Sequence, residues 1–327
     1  MSNRRLDITP VSSPLRAAFA ISRGSKTSAE TVRVRVQQGE RTGWGECVPY
    51  GRYGETIESV TATIETLREA LEAGLTRADL QAQMPAGAAR CAVDCALWDL
   101  EAKMTGTPVW QLAGLPEPKP VETAVTVSLD TPEKMAEAAR AIRGQLLKLK
   151  LGGAEDLKRI EAVHVARPDA RLIIDANEGL VPAEFPNISR AAAALGVVLI
   201  EQPFPAGDDA ALERRPGPVA ICADESAHTT ADIQDLARRY DAVNVKLDKA
   251  GGLTEALAMV RAAKACGMGV MVGCMVAGSL SMAPAVLLAG LCDAADLDGP
   301  LWLKDDVAHG LTYRDGMVEP PSSGLWG

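Results

Sequence analysis

Leu146-Leu147-Lys148-Leu149-Lys150 is a short apolar run that ends on a charge, and it is the first of five of that kind. The others are Leu172-Ile173-Ile174-Asp175, Val197-Val198-Leu199-Ile200-Glu201, Val219-Ala220-Ile221-Cys222-Ala223-Asp224 and Val243-Asn244-Val245-Lys246. From Lys150 to Asp175, Glu201, Asp224 and Lys246 the steps are 25, 26, 23 and 22 residues. That interval fits one buried parallel strand, a turn, an amphipathic helix and a return, the repeating unit of an α/β barrel. Charges at the C-terminal ends of successive barrel strands lie where such a fold keeps its chemistry.

The same rhythm extends on both sides. Residues 121–129 read as the strand before these five, and Thr131-Pro132-Glu133 opens the next helix, with Thr131 as cap and Pro132 in the first turn. Residues 254–266 form a helix stopped by Gly267, 269–275 a seventh strand, and an eighth run ends at Asp296-Leu297-Asp298-Gly299. The first hundred residues do not follow the interval. Residues 31–36 alternate Val32, Val34 and Val36 with polar neighbours, Gln38-Gly39-Glu40 turns the chain and 42–48 return it, so an antiparallel pair is expected. Helices follow over 55–73 and 86–103, and Pro116-Glu117-Pro118-Lys119-Pro120 is a stiff connector. The expected division is a small α+β capping domain at 1–115, a catalytic barrel at 116–302 and a C-terminal segment, 303–327, that packs back on the capping domain.

Bulk properties narrow the functional classes. The 327 residues carry 34 Lys and Arg against 43 Asp and Glu, a net charge of -9, which disfavours nucleic acid and anionic membranes as partners. The polar start lacks an apolar signal core, and the apolar stretch at 270–291 is interrupted by Gly273, Gly278, Ser279, Ser281 and Pro284, so a cytoplasmic protein is expected. Seven cysteines lie within apolar runs. Cys91 and Cys95 are four apart on a helix, but no histidine or third cysteine stands nearby to complete a metal site, and they read as buried thiols in a reducing compartment.

Asp175, Glu201 and Asp224 come from three consecutive strands and converge at the barrel mouth. A single acid at a strand end is commonly a helix cap, whereas three on adjacent strands form an all-oxygen set suited to Mg2+, one ion per subunit. Lys148 and Lys150, two apart on a strand, share its inward face. A lysine that works as a base near neutral pH must fall from about 10.4 to roughly 7–8, a cost of about 4 kcal/mol. A like charge ~6 Å away at an effective dielectric near 20 contributes close to 3 kcal/mol of that, so Lys148 is expected to lower the pKa of Lys150. Lys246 stands across the mouth. A cation with a lysine on each side of a substrate suits removal of a proton next to a carboxylate, with the enediolate held by the cation and the proton returned from the opposite face.

These segments resemble the enolase superfamily. Lys148-Leu149-Lys150, Asp175-Ala176-Asn177, Glu201-Gln202-Pro203, Ala223-Asp224-Glu225-Ser226 and Lys246-Leu247-Asp248-Lys249-Ala250-Gly251-Gly252 are similar to its muconate-lactonizing branch, which uses lysines on both sides of the substrate. The resemblance implies a modified TIM barrel, (β/α)7β, with an N-terminal α+β capping domain. None of His164, His228 and His309 ends a strand, which disfavours the mandelate-racemase branch. Asp296 and Asp298 resemble the acid pair with which dipeptide epimerases receive a substrate ammonium group. Ile21-Ser22-Arg23-Gly24-Ser25 resembles the capping loop of L-Ala-D/L-Glu epimerases, where an arginine takes the glutamate side chain; Arg23 is the candidate here, with a surface arginine as the alternative. Tyr50-Gly51-Arg52-Tyr53-Gly54 is expected to form a lid loop.

Thr126 and Cys274 match substrate-touching positions in those enzymes, with ordinary barrel packing as the alternative, and Asn177 is expected to support the metal site. The implied activity is Mg2+-dependent isomerisation at the C-terminal residue of a dipeptide, L-Ala-D-Glu or L-Ala-L-Glu, in the recycling of murein peptides. Lys150 would handle the proton of the D epimer and Lys246 that of the L epimer. A cycloisomerase, an o-succinylbenzoate-type dehydratase or an epimerase of another dipeptide would keep the same metal and lysines, and a non-catalytic barrel stands further off. A homo-oligomer is compatible with this fold.

Overall fold

The structure is a computed structural model that describes residues 4–153 and 155–327. Strands β1 (Arg4–Ile21), β2 (Gly24–Gln38) and β3 (Arg41–Cys47) form an antiparallel sheet in the order β1-β2-β3. The inward residues Val32, Val34 and Val36 of β2 are fully buried, as their alternation requires. The sheet packs on the helix Ala88–Thr105. This helix is buried almost all round rather than on one side, because Arg90 and Asp94 on its other flank reach the barrel: Arg90 donates to the carbonyls of Ala250 and Gly251, and Asp94 accepts from Thr254. The helix expected over 55–73 is two, Ile57–Glu65 and Arg68–Ala73, and a further short helix, Arg77–Gln83, starts on its own Thr76 cap.

The strand expected over 121–129 is also divided, into β4 (Val121–Glu122) and β5 (Val125–Val127). Only β5 enters the barrel. Strands β6 (Leu146–Lys150), β7 (Arg171–Asp175), β8 (Val197–Glu201), β9 (Ala220–Ala223), β10 (Ala242–Lys246), β11 (Gly269–Gly273) and β12 (Ala294–Asp296) follow it in one parallel sheet. The sheet curls until first and last strands meet, where the Ala124 amide donates to the Ala295 carbonyl (2.7 Å) and the Leu297 amide to Thr123 Oγ1 (2.7 Å). Helices cover the outside, although after β8 only a 3-10 turn, Ala210–Arg214, takes their place. No helix among the described residues is long and apolar enough to cross a membrane.

Register sets the functional end. Lys150 pairs with Asp175 and Asp175 with Glu201, while Lys246 pairs with Gly273 and Gly273 with Asp296, so the charges form a ring at one level of the barrel. Beyond β12 the chain forms a hairpin, β13 (Tyr313–Arg314) and β14 (Met317–Val318), that pairs with β4. The last residues reach the N-terminal sheet and its helix: the Trp326 indole donates to the carbonyls of Trp44 and Cys95, and the Gly327 amide to Asp99.

Candidate active site

Two cavities open at the ends of the barrel. The one at the N-terminal ends of the strands, about 430 Å3, is floored by Leu146, Ile173, Ala242 and Met271; of the charges that line it, Arg171 pairs with Glu122, and Asp241 and Asp293 are exposed. Among the described residues, no buried charge lines it. The other, about 390 Å3, lies at the C-terminal ends between the strand tips and the β1–β2 turn, and Lys150, Lys246, Asp224, Asn177 and Cys274 line it. The smaller cavity holds the chemistry, as the strand direction requires.

Asp224 on its wall and Asp175 and Glu201 behind it, all buried, bring one oxygen each to within 4.8 Å of one another. Burial and the adjoining carboxylates of Asp175 and Asp224 push the Glu201 carboxyl up to about 8, against the pull of Lys148 and Lys246. Three hard oxygen donors whose charges repel in a water-poor setting fit a divalent cation, which would discharge that repulsion.

The lysines surround the acids. Lys148 Nζ lies 2.6 Å from Glu201, 2.7 Å from Asp296 and 3.2 Å from Asp175. Burial opposes its charge, but Asp296, Glu201 and Asp175 outweigh it and hold the ammonium well above its ordinary range. Lys150 Nζ is 2.6 Å from the same oxygen, Asp175 Oδ2, that Lys148 approaches. The two ammonium groups therefore share an anion, and the bare like-charge pair expected from their spacing is not what the fold builds. Lys246 Nζ is 2.6 Å from Asp224, whose field likewise overcomes the burial cost and raises the lysine.

Other expected residues fall into two groups. Cys274 lines the cavity, and Arg23 stands over it at the β1–β2 turn. Thr126, Asp296 and Asp298 are buried and not on its wall. The Thr126 amide donates to Asp298 Oδ2 (2.7 Å), which also accepts from the Trp302 indole (3.3 Å). Burial and the neighbouring Asp296 raise the Asp298 carboxyl to about 6. Asp296 gives one oxygen to Lys148, while its Oδ1 is buried with no hydrogen-bond partner among the described residues. Asn177, in a left-handed conformation (φ 43°), supports Asp175 through its backbone amide (3.1 Å), and its side chain turns to Glu225.

Three contacts were not anticipated from the sequence. Asn244 Nδ2 donates to Glu201 Oε1 (2.7 Å), in space that a Cβ on Gly273 would fill. Gln202 Oε1 accepts from the amides of Asp224 and Ser226, and its Nε2 is held by Phe204, Ser226 and Tyr240. Lys249 Nζ binds Asp224 Oδ1 at 2.5 Å. A signal existed only for Asn244, which precedes Lys246 by two and so shares its inward face.

Residues 4–114 match the model of the mandelate racemase / muconate lactonizing enzyme N-terminal domain, and 131–325 that of the enolase C-terminal domain-like family. The chain belongs to the enolase superfamily. Within it, the chain is 46% identical over 308 residues to an L-Ala-D/L-Glu epimerase of Escherichia coli K12, covering 93% of this chain and 96% of that one. It is 43% identical over 288 residues to an N-acetyl-D-glutamate racemase of a Pseudoalteromonas species, covering 87% and 91%. A solved structure from Agrobacterium tumefaciens, an enolase family member with homology to dipeptide epimerases and with bound sodium and L-Ala-L-Glu, superposes with a TM-score of 0.96 at 51% identity, covering 99% and 100%.

Proposed function

We propose that this chain epimerises the C-terminal residue of a dipeptide, with L-Ala-D-Glu and L-Ala-L-Glu as its substrates. The observation that carries the reading is that Lys150 and Lys246 line one cavity from opposite sides of a barrel mouth backed by three converging carboxylates. Asp175, Glu201 and Asp224 would hold Mg2+, whose charge, when bound, favours the enediolate form of a substrate carboxylate. Lys150 takes or returns the α-proton on one face of the substrate, and Lys246 does so on the other. Transfer from one to the other inverts the carbon with no net change in atoms. Lys148 is held too firmly by three acids to act as a base and instead supplies positive charge beside the substrate carboxylate.

The relatives' names share a chemical core, since L-Ala-Glu and N-acetylglutamate are both N-acylated glutamates. They differ in the ammonium group of the alanine. Asp296 favours the dipeptide: its buried, unpartnered Oδ1 is an acceptor that an ammonium group satisfies and an acetyl methyl leaves bare. In this reading the capping residues 1–115 set specificity, the barrel of 116–302 performs the chemistry and 303–327 brace the two. A substrate of this kind supports a role in cytoplasmic recycling of cell-wall peptides.

Incubation with Mg2+ in D2O tests the assignment, with the glutamate α-proton followed by NMR. L-Ala-L-Glu should lose that signal and yield the D epimer, at least about tenfold faster than N-acetyl-L-glutamate does, the ratio expected from one buried charge-assisted hydrogen bond. Faster exchange of N-acetylglutamate would transfer the assignment to the racemase chemistry.

A further inference from the structure

Asp209 is a buried carboxylate that lines neither barrel cavity and stands outside the three converging acids. It precedes the 3-10 turn Ala210–Arg214, where the barrel lacks an outer helix. Burying a carboxylate is costly unless donors surround it, and the three groups that meet this one all donate. Oδ1 lies 3.1 Å from Arg239 Nη1, while Oδ2 accepts from the hydroxyls of Tyr240 (2.6 Å) and Ser226 (2.9 Å). Burial and that carboxylate push the Tyr240 phenol well above its ordinary range, so it remains a donor.

With both hydroxyl protons given to Asp209, the two oxygens can only accept from the next group inward, the Gln202 carboxamide. Gln202 Nε2 donates to Tyr240, Ser226 and the Phe204 carbonyl, at 2.9 Å each. That turns Oε1 to the amides of Asp224 (2.8 Å) and Ser226 (3.1 Å). Asp224 lies past the paired part of the barrel. Glu201 pairs with Cys222, and the Gln202 amide donates to the Cys222 carbonyl (2.9 Å). Beyond that bond the Gln202 side chain continues the join between the tips of β8 and β9. Gln202 follows Glu201 in the chain, so one residue adjoins the first of these acids and grips the second.

From this relay, and resting on the metal reading above, we infer that Asp209 is a positioning residue for the cation site. Through Tyr240, Ser226 and Gln202 it sets the spacing of Asp224 from Glu201. The isosteric change Asp209→Asn shows how the relay transmits. The new amide nitrogen would meet only donors unless a hydroxyl turned to accept from it. That hydroxyl would then aim its own proton at Gln202 Nε2, a donor facing a donor, and the carboxamide would lose its seat.

The test measures metal affinity rather than turnover. Mn2+ is the probe, because the EPR signal of the free aqua ion reports what the protein leaves unbound. Asp209→Asn should weaken Mn2+ binding about tenfold or more, as losses of residues that orient metal ligands do. Tyr240→Phe should weaken it less, and the double variant no more than Asp209→Asn alone, since both changes cut one chain of contacts. A purely structural Asp209 would lower the urea midpoint in EDTA and leave Mn2+ affinity at the wild-type value, which overturns the inference. Fully additive losses in the double variant overturn it as well. If Asp209→Asn does not fold, Tyr240→Phe, which keeps the buried ring, carries the test, and wild-type affinity there overturns the inference equally. These outcomes leave the metal reading intact. Mn2+ binding that Asp224→Asn does not weaken overturns the metal reading and the inference together.

Discussion

Lys150 and Lys246 face one cavity but answer to different acids, Asp175 and Asp224, and those acids differ in their support. Asp224 is braced by Lys249 and by the Gln202 contact to its amide, Asp175 by the Asn177 amide. The two lysines are therefore not held alike, and in the proposed reading each serves one face of the substrate. Replacing Lys150 with alanine should reduce deuterium exchange at the α-carbon of L-Ala-D-Glu by at least about 100-fold, and exchange of L-Ala-L-Glu distinctly less. Equal loss from both epimers, measured by NMR in D2O, would remove the assignment of faces. The acids and lysines were readable because each closes an apolar run at a nearly constant interval. Gln202 and Lys249 were not, because their partners are fixed by how loops after different strands meet, and no periodicity records that.

At the scale of elements, β3 shows how tightly the N-terminal sheet is fitted. A Cβ at Gly45 would come 2.0 Å from the Ala92 carbonyl oxygen, and one at Gly43 would come 2.1 Å from that of Ala96. Backbone lies against backbone there, so no side-chain rotation can make room. Gly45→Ala must lift the helix Ala88–Thr105 from the sheet, and the loss should be about 3 kcal/mol or more, at the upper end of overpacking costs. Urea unfolding with an unchanged slope would report it, and a midpoint equal to that of the wild type would mean the helix yields more easily than this packing implies. The barrel strands were legible as uniform apolar runs. Strand β1 was not: Pro10 and Pro14 interrupt it, its register shifts between Pro14 and Phe19, and of its residues only Leu6 and Leu15 are buried. It tolerates the prolines because it is an edge strand. The break between the helices Ile57–Glu65 and Arg68–Ala73 carries no proline or glycine to announce it.

Across the whole molecule, the short helix that follows Lys246, Leu247–Ala250, is held with its following glycine by the N-terminal sheet and helix. Arg90 grips the carbonyls of Ala250 and Gly251, and Asp248 Oδ1 accepts from the Val48 amide at 2.8 Å, just past the end of β3. Asp248 is buried, and burial, with Glu55 and Glu46 nearby, raises its carboxyl to about 7 despite the Val48 hydrogen bond and the field of Lys246. In the unfolded chain it would titrate near 3.9. Between about pH 4 and pH 7 the folded chain keeps a proton that the unfolded chain has lost, so this group makes stability fall as pH rises through that window. At about 1.4 kcal/mol per unit, the whole effect is on the order of 4 kcal/mol at most. Asp248→Asn retains an acceptor for the Val48 amide and cannot ionise. Its stability should match that of the wild type near pH 4 and exceed it increasingly up to about pH 7, with a constant gap above. Denaturant midpoints measured across that range decide the matter: parallel curves for the two proteins would show that Asp248 is ionised in the fold throughout that range, and that the junction accommodates a buried charge beside Glu46 and Glu55.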